Sequence, residues 1–239
     1  MSSSLKTVGV LTILKIFGAL AGIVYSVFQV RYFGTSRTIE IFFAAQSILY
    51  MVQSLTQTGQ ISEVFLPEYI QLKRNHNSIT AHKAFSVLIN RFTVFVSFGL
   101  IVGYFLAPYI VRAFIPGFSA EDQQIATIMF RSILPLVILQ LNNGFLNTVL
   151  NAEKVYGRME IGGIINYLIS IAILVLLYKK IGVWVLVWAL YAGLIIQIII
   201  SIAFAIKLKI RYYFIWSEKK FDSKKFFKTI YSTNFIQNR

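Results

Sequence analysis

The 239-residue sequence contains no cysteine and only two histidines, His76 and His82. Disulfides, thiolate metal sites, cysteine nucleophiles and iron–sulfur clusters are therefore excluded. Two histidines in one polar loop are typical of solvated side chains, because metal sites usually need three or four ligands. The sequence also has no Ser/His/Asp arrangement, Walker loop, HExxH or GxGxxG. We expect a protein that is not an enzyme and that has no catalytic residue, metal or cofactor.

Charge is scarce as well. Charged residues make up 13% of the sequence and hydrophobic residues 57%, whereas a soluble domain carries about 25% charged residues. The apolar residues form blocks of about 20, the length that crosses a bilayer. The predicted fold class is an all-α integral membrane protein with a six-transmembrane-helix bundle over residues 1–206. The expected spans cover residues of about 8–30, 39–57, 86–110, 125–150, 161–178 and 183–206.

The basic residues predict how these spans are oriented. Sixteen Lys and Arg fall on the side of the N-terminus and five on the opposite side. Because basic residues collect on the cytoplasmic side, both termini are expected in the cytoplasm. The first apolar run has no small-residue cleavage site after it and is interpreted as a retained span.

The net charge of +14 indicates anionic membrane lipids as partners. Nucleic acid is not expected, since no recognised binding motif accompanies the charge. Residues 207–239 are interpreted as a basic cytoplasmic linker, and Lys219 to Tyr231 as a short amphipathic helix on the membrane surface. The alternative is a solvated linker toward a further span.

Polar residues recur at three- and four-residue steps within two spans, and such residues usually face a cavity or a partner helix. Lys15 and Ser26 share one face of the first span with small residues that permit close helix packing. The second span carries a more polar stripe, for which a water-filled cavity is favoured over simple hydrogen bonding between helices. The predicted substrate-binding residues are Lys15, Ser26, Gln46, Tyr50, Gln53 and Gln57.

The fourth span has a polar face for which cavity lining and interhelical hydrogen bonding are equally open. Its members are Gln140, Asn143, Asn147 and Asn151. Pro135 is expected to kink this span. Asn166 and Gln197, each alone in its span, are interpreted as contacts between helices.

Between Arg31 and Lys73 the sequence resembles the MurJ/MviN family of lipid II flippases within the MOP exporter superfamily. The resemblance rests on an Arg-x-Phe-Gly turn, an acidic residue before a Phe-Phe pair, a glycine and a Phe-x-Pro. These are Arg31, Phe33, Gly34, Glu40, Phe42, Phe43, Gly59, Phe65 and Pro67. Further matches are the loop residues Pro116 and Gly117 and the fourth-span residue Asn147.

The resemblance implies a flippase of the bacterial cytoplasmic (inner) membrane that moves a lipid-linked saccharide, a lipid II-like peptidoglycan precursor, by alternating access. This chain would correspond to the N-terminal six-helix lobe, whose first two helices line a central cavity. A second helical bundle would be its partner, and we expect no transport by this chain alone. It would then be a truncated product, a fragment or one half of a split transporter.

The same resemblance reveals a departure, because the family's cavity arginines align here with Ala19, Tyr25 and Gln53. The change favours another substrate, such as that of an O-antigen or exopolysaccharide-repeat flippase or another MOP exporter. Lys15 could supply one positive charge in their place. An alternative of another class is a membrane interaction or scaffold protein without transport of its own.

Overall fold

The computed structural model describes residues 3–55 and 58–221, with side chains over 8–54 and 64–221. Within these ranges the chain folds into eight helices. They are α1 (Ser3–Phe33), α2 (Arg37–Leu55), α3 (Thr58–Asn75), α4 (Ser78–Phe114), α5 (Ala120–Ile133), α6 (Leu136–Ala152), α7 (Arg158–Ile181) and α8 (Trp184–Lys207). The predicted all-helical fold is confirmed.

Five helical segments of the described chain are long and apolar enough to cross a membrane. They are Val8–Phe33, Ser78–Phe114, Ala120–Ala152, Arg158–Ile181 and Trp184–Lys207. The predicted second span is present as α2, with 19 residues, but it is not one of these five. Its polar stripe lowers its hydropathy, so the number of six spans stays a prediction.

The expected fourth span is two helices, α5 and α6, separated by a turn at Leu134 and Pro135. Proline has no N–H and its ring clashes with the carbonyl of residue i−4, so the helix breaks there. The disruption predicted at Pro135 is therefore observed, as a two-residue break between helices.

No helix is predicted between the spans of about 39–57 and 86–110, the segment that contains Gly59 and Pro67, and this expectation is wrong. Both residues lie inside α3. Phe65, Tyr69 and Leu72 share one face of this helix and are buried against the bundle, while Pro67 is on the exposed side. An amphipathic face at helical spacing thus outweighs the cost of one proline.

Small residues bring α1 and α7 into close contact. The position that a Cβ would take on Gly22 is 3.2 Å from the ring of Tyr167. Near the C-terminal ends of the two helices, the ring centroids of Tyr32 and Tyr178 are 4.0 Å apart. The predicted role of the small residues of the first span in helix packing agrees with this contact.

At one end of the bundle, the α1–α2 turn is joined to the α4–α5 loop. Gly34 makes the turn with a φ of +59°, a conformation that glycine adopts without a steric penalty. Arg37 then forms ion pairs with Glu40 at 2.8 Å and with Asp122 at 3.0 Å. Its guanidinium also lies 4.0 Å from the ring centroid of Phe118, directly after Pro116 and Gly117. The sequence motifs around Glu40 and Pro116 therefore meet in space.

The segment after α8 crosses α4 as an irregular, extended stretch. Asn90 donates to the carbonyl of Ile215 at 2.9 Å, and Arg91 donates to that of Trp216 at 2.9 Å. Residues 219–220 form a turn, so the amphipathic helix predicted from Lys219 does not begin there. The rest of that predicted helix, up to Tyr231, lies outside the described residues.

Candidate functional site

A cavity of about 1120 Å³ opens between α1, α2, α6, α7 and α8. The first two helices contribute Ser26, Gln29, Gln46 and Tyr50 to its wall. The other three contribute Gln140, Asn166, Tyr167, Ser170 and Gln197. A pocket of this size with several convergent polar groups is the usual form of a small-molecule binding site.

The structure places three of the six predicted substrate-binding residues on this cavity, namely Ser26, Gln46 and Tyr50. Gln53 is half-buried one turn further along α2 and is not part of the lining. Gln57 lies outside the described residues. The role of these residues in substrate binding stays a prediction.

Lys15 is exposed and also lies outside the lining. It occupies the same face of α1 as Ala19, one helical turn closer to the N-terminus, where the cavity wall ends. The structure therefore does not bring Lys15 together with Gln46 and Tyr50.

Among the described residues, Arg31 is the only lysine or arginine that lines the cavity. It is exposed, and in this part of the chain it has no carboxylate within salt-bridge distance. From the sequence, Arg31 was assigned only to the turn motif after the first span, and its place on the cavity wall was not predicted. Arg31 is five residues after Ser26, a spacing that does not put two side chains on one helix face, so the three- and four-residue steps gave no signal for it.

Ala19 and Tyr25, two of the positions at which the family resemblance implies arginines, both line the cavity. Tyr25 is 8% exposed and its ring centroid lies 6.1 Å from that of Tyr167. These positions thus place a methyl group and a phenol on the cavity wall, where the resemblance implies guanidinium groups. The wall presents neutral polar groups more than charge.

Asn166 and Gln197 connect α7 to α8, as the sequence predicted, with their amide groups 3.5 Å apart. Both also line the cavity, a position that was not predicted from the sequence. Ser170, one turn after Asn166, donates to the carbonyl of Ala189 at 3.1 Å. Amides and hydroxyls can each donate and accept hydrogen bonds, which suits a ligand rich in hydroxyl and amide groups.

Behind the cavity lies a sealed polar network on α6, α7 and α8, which we name the Arg158 network. Arg158 donates to Asn147 and Ser201, and Ser201 donates to Asn143 at 3.1 Å. All four residues are buried, with Arg158 only 4% exposed. Arg158 is one of the sixteen basic residues counted for the loops on the side of the N-terminus, but in the structure it begins α7 and is buried.

This network divides the polar face of the fourth span. Asn143 and Asn147 form hydrogen bonds between helices, whereas Gln140 lines the cavity. The sequence left cavity lining and hydrogen bonding between helices equally open for this face, and each of them describes a part of it.

The Phe-Phe pair of the motif is split in the same way. Phe42 is fully buried in the core, while the adjacent Phe43 is 40% exposed and lines the cavity. Phe42 packs α2 into the bundle, and Phe43 adds an apolar surface next to Gln46.

At the end of the bundle away from the contact between Arg37 and Asp122, Glu153 after α6 forms an ion pair with Lys73 of α3 at 2.6 Å. It also accepts a hydrogen bond from the hydroxyl of Tyr69 at 3.2 Å. Burial and the nearby carboxylate raise the pKa of Tyr69 above its ordinary value of 10.0. Glu153 is not among the residues predicted from the sequence, and these contacts indicate that it fixes the position of α3.

Comparison with known families gives a match over most of the chain. The sequence model of the family described as "MurJ: Lipid II flippase MurJ" matches residues 29–236. A "Probable lipid II flippase MurJ" from Buchnera aphidicola subsp. Baizongia pistaciae (strain Bp) is 25% identical over 150 residues, which cover 62% of this chain and 29% of the relative.

Solved structures share the fold. The inward closed conformation of a lipid II flippase MurJ has a TM-score of 0.73 at 23% identity, over 93% of this chain and 46% of that protein. A MOP superfamily transporter from Pyrococcus furiosus, titled for the reverse polarity of its binding pocket, has a TM-score of 0.66 at 18% identity. The match covers 94% of this chain and 50% of the transporter. A MATE protein in complex with MaD3S has a TM-score of 0.62 at 15% identity, covering 94% and 51%.

The chain thus spans about half the length of these solved structures and less than a third of the curated relative. The apolar helices and the family match together indicate a multi-pass inner-membrane protein. Because the family model covers residues 29–236 of 239, the chain belongs to the lipid II flippase MurJ family.

Proposed function

We propose that this chain forms the N-terminal bundle of a flippase that moves a lipid-linked saccharide, a lipid II-like precursor of peptidoglycan, across the bacterial inner membrane. The observation that carries the proposal is the polar cavity between α1, α2 and α7, in a chain of this family. The cavity alternates between the two membrane faces as this bundle rocks against a second one, which supplies the opposite wall. Anionic lipids surround the basic end of the bundle.

In this proposal α2 also crosses the membrane, so that the bundle has six transmembrane spans, and both termini are cytoplasmic. The loop after α1 and the loop after α4 lie at one end, since Arg37 pairs with Asp122. Six spans alternate correctly only if α2 crosses the membrane.

The cysteine-free sequence allows a direct test of this topology, in which single cysteines replace Thr35 and His76 and are labelled from outside with an impermeant maleimide. Labelling of T35C but not H76C supports the orientation; the reverse pattern contradicts it.

The saccharide is bound by the amides and hydroxyls of the wall, and its pyrophosphate by a cation. Two candidates lie on α1, separated by 16 residues or about 24 Å at helical rise. Arg31 lines the cavity, whereas Lys15 is one turn beyond its edge. We therefore expect Arg31 to contribute more to substrate binding than Lys15.

The test measures flipping of a pyrophosphate-linked saccharide in membranes that contain the native protein together with its partners. Arg31→Gln is expected to reduce flipping about tenfold, as removal of one charge-assisted hydrogen bond predicts. Lys15→Gln, the matched control, is expected to reduce it less. Equal flipping by the wild type and both variants would remove the pyrophosphate from this wall of the cavity.

A second candidate function is transport of another substrate, such as an O-antigen or exopolysaccharide repeat. Ala19 and Tyr25, which replace the implied arginines on the cavity wall, favour it. The same assay with lipid-linked saccharides of different composition separates the two substrates. A non-transporting interaction protein would flip none of them in the presence of any partner.

A further inference from the structure

A second cavity, of about 910 Å³, lies between α4 and α5. Its wall includes Arg112 and Pro108 of α4 and Gln124, Thr127, Ile128 and Arg131 of α5. We name it the α4–α5 groove. It shares no residue with the central cavity.

The backbone of α4 holds Arg131 in place. Pro108 has no N–H, so the carbonyl of Tyr104, four residues earlier, lacks its usual partner within the helix. Arg131 supplies one, since its Nε donates to that carbonyl at 3.0 Å. The guanidinium also lies 4.8 Å from the ring centroid of Tyr104, at a distance typical of cation–π contacts. This contact fixes a cation in the groove and uses only one of its five N–H donors.

Neither arginine of the groove forms an ion pair with a carboxylate of the described residues. Within the described part of the chain, the ion pairs join Arg37 to Glu40 and Asp122, and Lys73 to Glu153. Asp122, the carboxylate at the start of α5, is thus already paired with Arg37. Arg112 and Arg131 therefore give the groove two positive charges and no negative one. An unneutralised arginine in a membrane-spanning helix is costly, and a bound anion would remove that cost.

The surroundings of the groove identify the source of the anion. Arg112 lies two residues beyond the predicted span of about 86–110 and two before the end of α4, where we expect the membrane surface. Arg131 is about 16 Å from the start of α5. Apolar side chains flank the groove and are largely exposed, with Phe105 at 69% and Ile128 at 53%. A lipid presents a phosphate to the arginines and acyl chains to these residues, which a soluble phosphate ion cannot do.

We propose that the α4–α5 groove binds an anionic phospholipid, with its phosphate held by Arg112 and Arg131. The lipid comes from the leaflet at the end of the bundle that contains Pro116. It fills a cationic gap in the lipid-facing surface and so holds α4 and α5 at a fixed spacing. This site is independent of the flippase proposal, because it needs neither the central cavity nor transport.

The test uses the absence of cysteine from the sequence. The full chain carrying Ile128→Cys is labelled with a fluorophore and reconstituted in nanodiscs of phosphatidylcholine. Phosphatidylglycerol or phosphatidylcholine with a spin-labelled acyl chain is then added at increasing mole fraction. We expect spin-labelled phosphatidylglycerol to quench the fluorophore at position 128 at a several-fold lower mole fraction than spin-labelled phosphatidylcholine. A label at Val175→Cys, on the exposed surface of α7, should not distinguish the two lipids.

Arg112→Gln is expected to raise the phosphatidylglycerol fraction needed for half-quenching about fivefold, since a basic residue near the membrane surface contributes about 1 kcal/mol to binding an anionic lipid. Lys180→Gln removes one exposed charge at the end of α7 and should leave that fraction unchanged. If Arg131→Gln fails to fold, Arg131→Lys is used in its place, because it keeps the positive charge. We expect Arg131→Lys to raise the fraction of phosphatidylglycerol needed for half-quenching less than Arg112→Gln does.

Three results would overturn the proposal. One is equal quenching by the two lipids, which would make the groove merely apolar. Another is relief of the quenching by inorganic phosphate, which would identify a free-ion site. The last is crosslinking of position 128 to a protein segment in native membranes in place of lipid.

Discussion

Two groups of polar side chains lie side by side in this bundle, and only one of them is open. The Arg158 network is buried and its members bond to one another across α6, α7 and α8. The residues of the central cavity, such as Gln46 and Tyr50, face open space. Buried polar groups in a membrane protein must find partners within the protein. The first group therefore stabilises the fold, and the second is available to a ligand.

The difference also separates two uses of arginine. Arg158 is enclosed by amide and hydroxyl acceptors, although its Nε has no partner among the described residues. Arg31 lies on the cavity wall and forms no ion pair with a described carboxylate. One guanidinium is already bound by the protein, and the other can bind something else. Changes to the two groups should accordingly affect different properties.

The largest effect is expected from Asn147→Leu, which removes an acceptor from the buried Arg158. An unsatisfied buried donor costs about 1–3 kcal/mol, and a charged one more, so we expect a loss of about 3 kcal/mol in unfolding free energy. Unfolding of the purified protein in mixed micelles of increasing dodecyl sulfate content measures it. The double variant with Arg158→Met should recover most of this loss, because the charge itself is gone. Equal losses in the single and double variants would show that Asn147 matters for packing alone.

A smaller effect is expected from Glu153→Gln, which breaks the ion pair with Lys73. The two side chains are 16% and 39% exposed, so solvent screens part of the interaction. We expect a loss of about 1 kcal/mol in the same unfolding assay. Glu121→Gln is the control, since this exposed carboxylate has no ion-pair partner among the described residues. Similar losses in both variants would show that net charge, rather than the contact with α3, is responsible.

The neighbouring Tyr69 should make stability depend on pH. Burial and Glu153 raise its pKa in the folded protein above the ordinary 10.0. The unfolded chain therefore loses this proton first, and the contribution of Tyr69 is complete below pH 10 and falls as the pH rises beyond it. We expect wild type to lose more unfolding free energy than Tyr69→Phe between pH 9 and 11. Parallel curves for the two proteins would contradict a raised pKa at this position.

The sequence predicts the helical fold well because long apolar runs and their breakers are local signals. It predicts α3 wrongly, since Pro67 and nearby polar residues resemble a loop until Phe65 and Tyr69 are seen packed on one face. The face of α1 and α2 toward the cavity follows from three- and four-residue spacing. The contributions of Asn166 and Gln197 to the same wall do not, because they depend on how α7 and α8 pack against α1. Spacing also cannot separate Asn147 from Gln140, which share one helix face and differ only in their partners.

The smallest effect, and the sharpest contrast with Asn147→Leu, is expected from Gln46→Leu. Gln46 lines the cavity and has no hydrogen-bond partner among the described residues, so its loss leaves no buried donor or acceptor unsatisfied. We expect a change in unfolding free energy within about 0.5 kcal/mol, as for most substitutions away from buried polar contacts. The same variant should weaken flipping of the lipid-linked saccharide if the proposed function is correct, because it removes an amide from the wall. A large loss of stability would mean that Gln46 is bonded within the bundle, as Asn147 is, and that the cavity is closed in solution. Unchanged stability with unchanged flipping would instead keep the cavity open and move the substrate away from α2.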